Sequence, residues 1–158
     1  MKKYNCADIR NVGLMGHGGV GKTSIAEAMT YISGVSDRLG KVGDSSSFFD
    51  YDPEEVKKGY SLNASLAFLE WDKKKINLID SPGSVSFVGD TYAALRVVDS
   101  SVFVVSADVG LQYFTEKFWH VADNHKVRPI VFLNKIDHER ADLENAISSI
   151  KKKLKNNP

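Results

Sequence analysis

Thiols are nearly absent from this chain, whose one cysteine is Cys6. A lone thiol closes no internal disulfide and leaves no partner for a Cys-only metal centre, which fits a reducing compartment. A cytoplasmic location is therefore expected. Long apolar runs are lacking too. The stretch Met1-Lys2-Lys3-Tyr4-Asn5 is basic but leads into Asp8 and Arg10 without an apolar segment of signal-peptide length. No later run approaches a membrane span, so no membrane partner is expected. An excess of either charge is also missing, since 21 Lys and Arg against 20 Asp and Glu leave a formal net charge of +1. No global field then draws the chain to nucleic acid or an anionic membrane, and any such contact must be local. Internal repeats and low-complexity tracts are absent. What is present, 158 residues of which 42% are hydrophobic and 26% charged, suffices for one core and one ordinary domain.

Short apolar runs with β-branched character recur at Val12 to Met15, Ile76 to Ile79, Val102 to Val105 and Ile130 to Leu133. Runs of this kind suit strands covered on both faces. Helical patterns lie between them at Thr23 to Ile32, Tyr92 to Val98, Thr115 to Ala122 and Ala141 to Leu154. Strand alternating with helix predicts an α/β fold with a parallel sheet between helical layers. In the last helix Leu143, Ile147, Ile150 and Leu154 share one face. Its lysines, Lys151 to Lys153 with Lys155, read as a solvated helix end beside favourable carbonyl dipoles rather than a nucleic-acid patch. From Gly34 to Gly59 neither period is sustained, and the Asp52-Pro53 turn signal falls inside, so a long surface loop is expected there. Leu62 to Trp71 reads as a strand, and Asp72-Lys73-Lys74-Lys75 as the turn into Ile76. Together they predict an antiparallel hairpin at the sheet edge.

Three motifs carry chemistry. Gly16-His17-Gly18-Gly19-Val20-Gly21-Lys22-Thr23 fits G-x-x-x-x-G-K-[ST] and lies between a predicted strand and a predicted helix, as a phosphate loop requires. Its glycines let backbone amides surround phosphate oxygens at a helix N-terminus, where Ser24 follows. Lys22 supplies a point charge and Thr23 a hydroxyl for Mg²⁺. The side chain of His17 is read as structural, because the backbone of such a loop does the binding. Asp80-Ser81-Pro82-Gly83 follows the Ile76 to Ile79 strand, where the carboxylate would face the phosphate loop and support the Mg²⁺ shell. Gly83 has no side chain to keep its amide from a γ-phosphate. Alone, such a tetrapeptide is an ordinary turn. Asn134-Lys135-Ile136-Asp137 ends the Ile130 to Leu133 strand. The Asp137 carboxylate can accept from both the ring N–H and the amino group of guanine, whereas adenine would present an acceptor to it. Lys135 can lie along the base, and the Asn134 amide can bridge neighbouring loops.

These residues resemble the GTP-binding domain of translational GTPases, and among them the elongation factor G family. Further stretches that carry the likeness are Asp44-Ser45, Asp50-Tyr51, Lys58-Gly59-Tyr60-Ser61-Leu62, Ala94 to Asp99 and Thr115 to Trp119. The resemblance implies a P-loop NTPase fold, guanine nucleotide and Mg²⁺ as cofactors, hydrolysis of GTP, and a role in ribosomal translocation for a complete protein. It makes the long loop the first switch and places Ser61 where the family has a threonine that joins Mg²⁺. Serine keeps that oxygen but lacks the methyl that restricts the rotamer. Asp50 falls on a family aspartate whose carboxylate holds a metal-bound water.

Three departures are visible. Ser84 stands where the family has a histidine that positions the attacking water, which predicts weak hydrolysis, because phosphoryl transfer depends on positioning and charge stabilisation. Gly19 replaces a common aspartate. The family also continues beyond this length into a further strand with the last guanine-binding segment and into ribosome-engaging domains, so an incomplete, truncated G domain is expected. A nucleotide-binding module without turnover, or an inactive truncated fragment, is the alternative. A P-loop ATPase or small-molecule kinase would lack Asn-Lys-x-Asp at the end of a later strand.

Overall fold

The computed structural model describes residues 3–43, 46–49 and 52–154. Five strands form one mixed sheet: β1 (Ile9–Met15), β2 (Ser65–Trp71), β3 (Lys74–Asp80), β4 (Ser100–Ser106) and β5 (Arg128–Asn134). Their spatial order is β2-β3-β1-β4-β5, with β3, β1, β4 and β5 parallel and β2 antiparallel to β3 at the edge. This is the expected α/β arrangement with an antiparallel edge hairpin. The hairpin turn is tighter than the sequence suggested. Only Asp72 and Lys73 turn, both with positive φ (44° and 63°), and Lys74 and Lys75 already belong to β3. Positive φ at both central residues matches the right-handed twist of paired strands.

Among the described residues there are five α-helices: α1 (Lys22–Ile32), α2 (Pro53–Lys58), α3 (Val88–Leu95), α4 (Tyr113–Asn124) and α5 (Leu143–Lys153). One core, built on Met15, Leu95, Phe103, Val105, Phe118, Trp119 and Ile150, lies between the sheet and α3, α4 and α5. The other, with Leu14, Ala26, Phe49, Leu69 and Leu78, lies under α1 on the opposite face. The layers are therefore three, helix on sheet on helix. Each fully buried Leu or Phe of these cores contributes about 1.5–3 kcal/mol of transfer free energy.

Several expected boundaries move. The segment from Gly34 to Gly59 is not one surface loop, because it contains α2 and buries Phe49, which is 1% exposed. Asp52 caps α2 by accepting from the Glu54 amide at 2.8 Å, Pro53 takes the first helical position, and Gly59 ends it in the left-handed region at φ 70°. The Asp-Pro pair is thus a helix start and not a turn. The helix expected at Tyr92 to Val98 runs instead from Val88 to Leu95, Arg96 and Val97 turn, and Val98 packs into the core. The helix expected from Thr115 begins at Tyr113 and extends to Asn124. The last helix starts at Leu143 rather than Ala141, because Asp142 caps it by accepting from the Asn145 amide at 2.9 Å. Its apolar stripe is only half used. Ile150 and Leu154 are buried, whereas Leu143 and Ile147 are 44% and 40% exposed. Among its lysines Lys153 pairs with Glu116 at 3.5 Å. Asp44, Ser45, Asp50, Tyr51 and Lys155 lie outside the described residues.

Candidate functional site

The three motifs converge because all of them leave C-terminal ends of parallel strands. The phosphate loop follows β1, the Asp80 segment follows β3, and the Asn134 segment follows β5. Ligands of open α/β sheets bind at this edge. The N-cap of helix α1 is Gly21, which adopts the left-handed φ of 97° and offers no side chain to cap the first turn. The amides at that turn are left for an anion. A Cβ at Gly21 would also lie 2.3 Å from Asn134 Nδ2, so only glycine admits the close approach. Asn134 uses that proximity, its Nδ2 donating to the Val20 carbonyl at 2.8 Å. The Asn134 amide thus links the segment after β5 to the loop after β1.

A cavity of about 580 Å³ opens over this edge. Of the residues singled out in the sequence, His17, Gly18, Gly19, Gly21, Lys22, Thr23, Ser24, Ser61, Gly83, Ser84 and Lys135 line it. Thr23 Oγ1 donates to Asp80 Oδ2 at 2.6 Å and lies 3.2 Å from Ser61 Oγ, so hydroxyls from two distant segments meet above one buried carboxylate. Lys22 is 6% exposed, and its Nζ donates to the carbonyls of Gly16 and His17 at 3.1 and 3.0 Å. Burial lowers its pKa to about 8, against the opposing pull of Asp80. Gly83 packs tightly on the phosphate loop, since a Cβ there would stand 2.5 Å from both Gly18 N and Lys22 Nζ.

The remaining residues sit off the cavity wall. Gly16 is buried at the end of β1, Val20 is core, and Asp80 acts through Thr23 from below. Asp137 is exposed and lies beyond Lys135, whose φ of 56° turns the chain sharply after Asn134. His17, by contrast, lines the cavity. Its ring stacks on Phe114 at 5.6 Å, its amide donates to Thr115 Oγ1 at 3.0 Å, and burial first, then Lys22, lowers its pKa.

Sequence reasoning did not assign Val42, Gly59, Tyr60, Ser81 and Val85 to the site, although Ser81 lies within the Asp80 to Gly83 motif and Gly59 and Tyr60 within the stretch around Ser61. Tyr60 and Gly59 flank Ser61, so their neighbourhood was the available signal. Two buried carboxylates were also missed. Glu27 on α1 is fully buried, and its Oε1 accepts from Ser47 Oγ and Phe48 N at 2.6 Å and from Phe49 N at 3.2 Å. Glu55 on α2 is 2% exposed, and its Oε1 accepts from Leu62 N at 2.7 Å and Asn63 N at 3.1 Å. Near the Asn134 segment, Asp108 is held below the usual carboxylate range by the Ser106 hydroxyl.

Known proteins place this arrangement. The family described as the elongation factor Tu GTP binding domain matches residues 7–157. Elongation factor G 2 of Streptomyces coelicolor is 37% identical over 154 residues, which is 98% of this chain and 22% of that protein. Mitochondrial ribosome-releasing factor 2 of Danio rerio is 40% identical over 150 residues, 95% of this chain and 20% of its own. The crystal structure of a Thermus thermophilus protein superimposes with a TM-score of 0.88 at 33% identity, covering 94% of this chain and 22% of that one. The chain thus spans about one fifth of the length of these relatives. With the motif order, the sheet order and these likenesses in agreement, the chain belongs to the elongation factor Tu GTP-binding domain family of translational GTPases.

Proposed function

We propose that this domain binds GTP and GDP with Mg²⁺ and hydrolyses GTP slowly by itself, as the nucleotide-binding part of an elongation-factor-G-like protein that works on the ribosome. The observation that carries this reading is the convergence of Thr23, Ser61 and Asp80 beside the Lys22 ammonium. Hydroxyl oxygens over a carboxylate are hard donors of the kind Mg²⁺ takes, so the residues present fit that ion. Thr23 and Ser61 would hold it directly, and Asp80 would orient Thr23. When bound, the metal supplies charge neutralisation at the phosphate oxygens. Backbone amides from Gly16 to Thr23 with Ser24 cradle the phosphates, and Lys22 adds its charge. Gly83 brings its amide to the terminal phosphate. Asn134, Lys135 and Asp137 take the guanine.

Ser84 lines the cavity without an imidazole to orient water, which favours slow turnover and gives the second reading, a nucleotide-holding module that does not hydrolyse, its observation. Elongation and ribosome release, named in the two kinds of relatives, are both compatible with identities of 37% and 40%. The reducing compartment inferred from Cys6, an exposed thiol, suits the cytoplasm as its location.

Titration with GTP and ATP in Mg²⁺ tests the base assignment, with GTP expected to bind more tightly by about 10²-fold or more. Equal affinities would remove guanine specificity. Phosphate release measured with and without ribosomes separates the two readings. Stimulated turnover supports the hydrolysing domain, and its absence supports the non-hydrolysing module.

A further inference from the structure

Ser61 sits in a connection between a short helix and an edge strand, and the way that connection is held has no counterpart in the motifs. Helix α2 is too short to be stable alone. Its residue Glu55 is nevertheless 2% exposed, an unusual place for a carboxylate, and it is hydrogen-bonded twice over. Its backbone carbonyl accepts from the Gly59 amide at 2.7 Å, ahead of Ser61. Its side-chain Oε1 accepts from the Leu62 and Asn63 amides at 2.7 and 3.1 Å, after Ser61. One residue thus grips the chain on both sides of the serine whose hydroxyl meets Thr23. The next amide, of Ala64, donates to Asp90 Oδ2 of α3 at 3.2 Å. The grip is extended by the helix that follows Ser84 in the chain.

We propose that Glu55 is a positioning residue for nucleotide and metal binding, fixing Ser61 Oγ against Thr23 through the backbone of residues 59–63, with Asp90 tying the same segment to α3. Glu55 does not itself line the cavity or contact Thr23, so it acts through the backbone of residues 59–63 that carries Ser61. The inference rests on the reading of Ser61 as a Mg²⁺ ligand. A merely structural Glu55 would lower stability and nucleotide binding alike. A positioning Glu55 affects the metal-dependent part of binding.

The test compares wild type, Glu55→Ala, Glu55→Gln, Ser61→Ala and the Glu55→Ala/Ser61→Ala double variant. Affinity for a non-hydrolysable GTP analogue is read in Mg²⁺ and in EDTA, and hydrogen exchange is read at the Leu62 and Asn63 amides without nucleotide. Glu55→Ala and Ser61→Ala are each expected to lose about tenfold in Mg²⁺ and nothing in EDTA, as one charge-assisted contact would give. The double variant is expected to be no worse than either single one, because both remove the same interaction. Glu55→Gln keeps an acceptor oxygen and is expected to restore binding. Exchange protection of the two amides should vanish in Glu55→Ala and persist in Glu55→Gln. Unchanged protection in Glu55→Ala, or an equal loss in Mg²⁺ and EDTA, overturns the proposal. Should Ser61→Ala leave the Mg²⁺ effect intact, the assignment of Ser61 as a metal ligand is what fails. The grip of Glu55 is then judged on exchange protection alone.

Discussion

At the residue scale the charge balance of the site turns on Lys22. Its folded pKa, about 8 against an ordinary 10.5, means that between those values the folded protein binds fewer protons than the unfolded chain. The cost of keeping the ammonium buried is present in full below pH 8 and is relieved as pH rises toward the unfolded value. Phosphate oxygens would supply the negative charge that the site lacks and raise the value again. Nucleotide binding at about pH 8.5 is therefore expected to take up a proton, and at about pH 6.5 to take up almost none. Calorimetric titrations in two buffers of different ionisation enthalpy check this, and equal enthalpies at the higher pH would mean that Lys22 is already fully charged. The residues of this loop were legible from sequence, because a glycine-rich turn followed by Lys-Thr has a meaning fixed by local backbone geometry. Glu27 and Glu55 were not, because their partners, backbone amides and the Ser47 hydroxyl, are brought to them by tertiary structure. Nothing in Ala26-Glu27-Ala28 marks the glutamate as buried.

At the element scale the residues described between 40 and 49 are fastened to α1. Glu27 holds Ser47, Phe48 and Phe49 through one carboxylate oxygen, and Phe49 in turn fills the core beneath α1. Gly40 passes so close that an added Cβ would lie 2.2 Å from Glu27 Oε2. Glu27→Ala removes the carboxylate that three donors share, and a destabilisation of about 2–4 kcal/mol is expected in urea unfolding, together with faster proteolysis at Lys41. A loss below about 1 kcal/mol would show that the segment holds itself. The parallel strands were readable from runs such as Val102 to Val105, since burial on both faces writes itself as continuous Val and Ile. Helix α2 was hidden for a physical reason. Its start signal, Asp52-Pro53, is shared by turns, and its length is too short for a period to appear. The shift of α3 has a similar origin, because Val97 and Val98 extend the apolar pattern past the point where the backbone turns toward β4.

At the scale of the whole molecule the two faces of the sheet are unequally covered. Three helices lie on one face, and α1 with Phe49 on the other, so β5 is dressed on one side only. Ile130 and Phe132 point to the uncovered side, 59% and 45% exposed, and β5 pairs with no strand on its outer edge among the described residues. An exposed apolar edge strand is a template for association. Replacing Ile130 and Phe132 together by serine is expected to raise the concentration at which this chain self-associates. Its unfolding free energy should change by less than about 1 kcal/mol, as for solvent-facing positions. Sedimentation velocity over a concentration series checks the first part and urea unfolding the second. Unchanged association would place the sticky surface elsewhere, for instance on the outward face of β2 at Leu66 and Phe68, 71% and 53% exposed.

The register of the edge hairpin sets a limit on how the site can open. Ser65 and Asp80 face each other on the last rung of the β2–β3 ladder, so the segment that carries Ser61 and the start of the Asp80 segment share one anchor. From that rung back to Ser61 the chain, extended at roughly 3.3–3.6 Å per residue, reaches about 14 Å. Ser61 is therefore on a short leash. However widely the segment swings when its contacts are lost, the serine remains within about 14 Å of the Ser65 anchor while the hairpin stays paired. Its return to Thr23 is then a brief local search and not the refolding of a long loop.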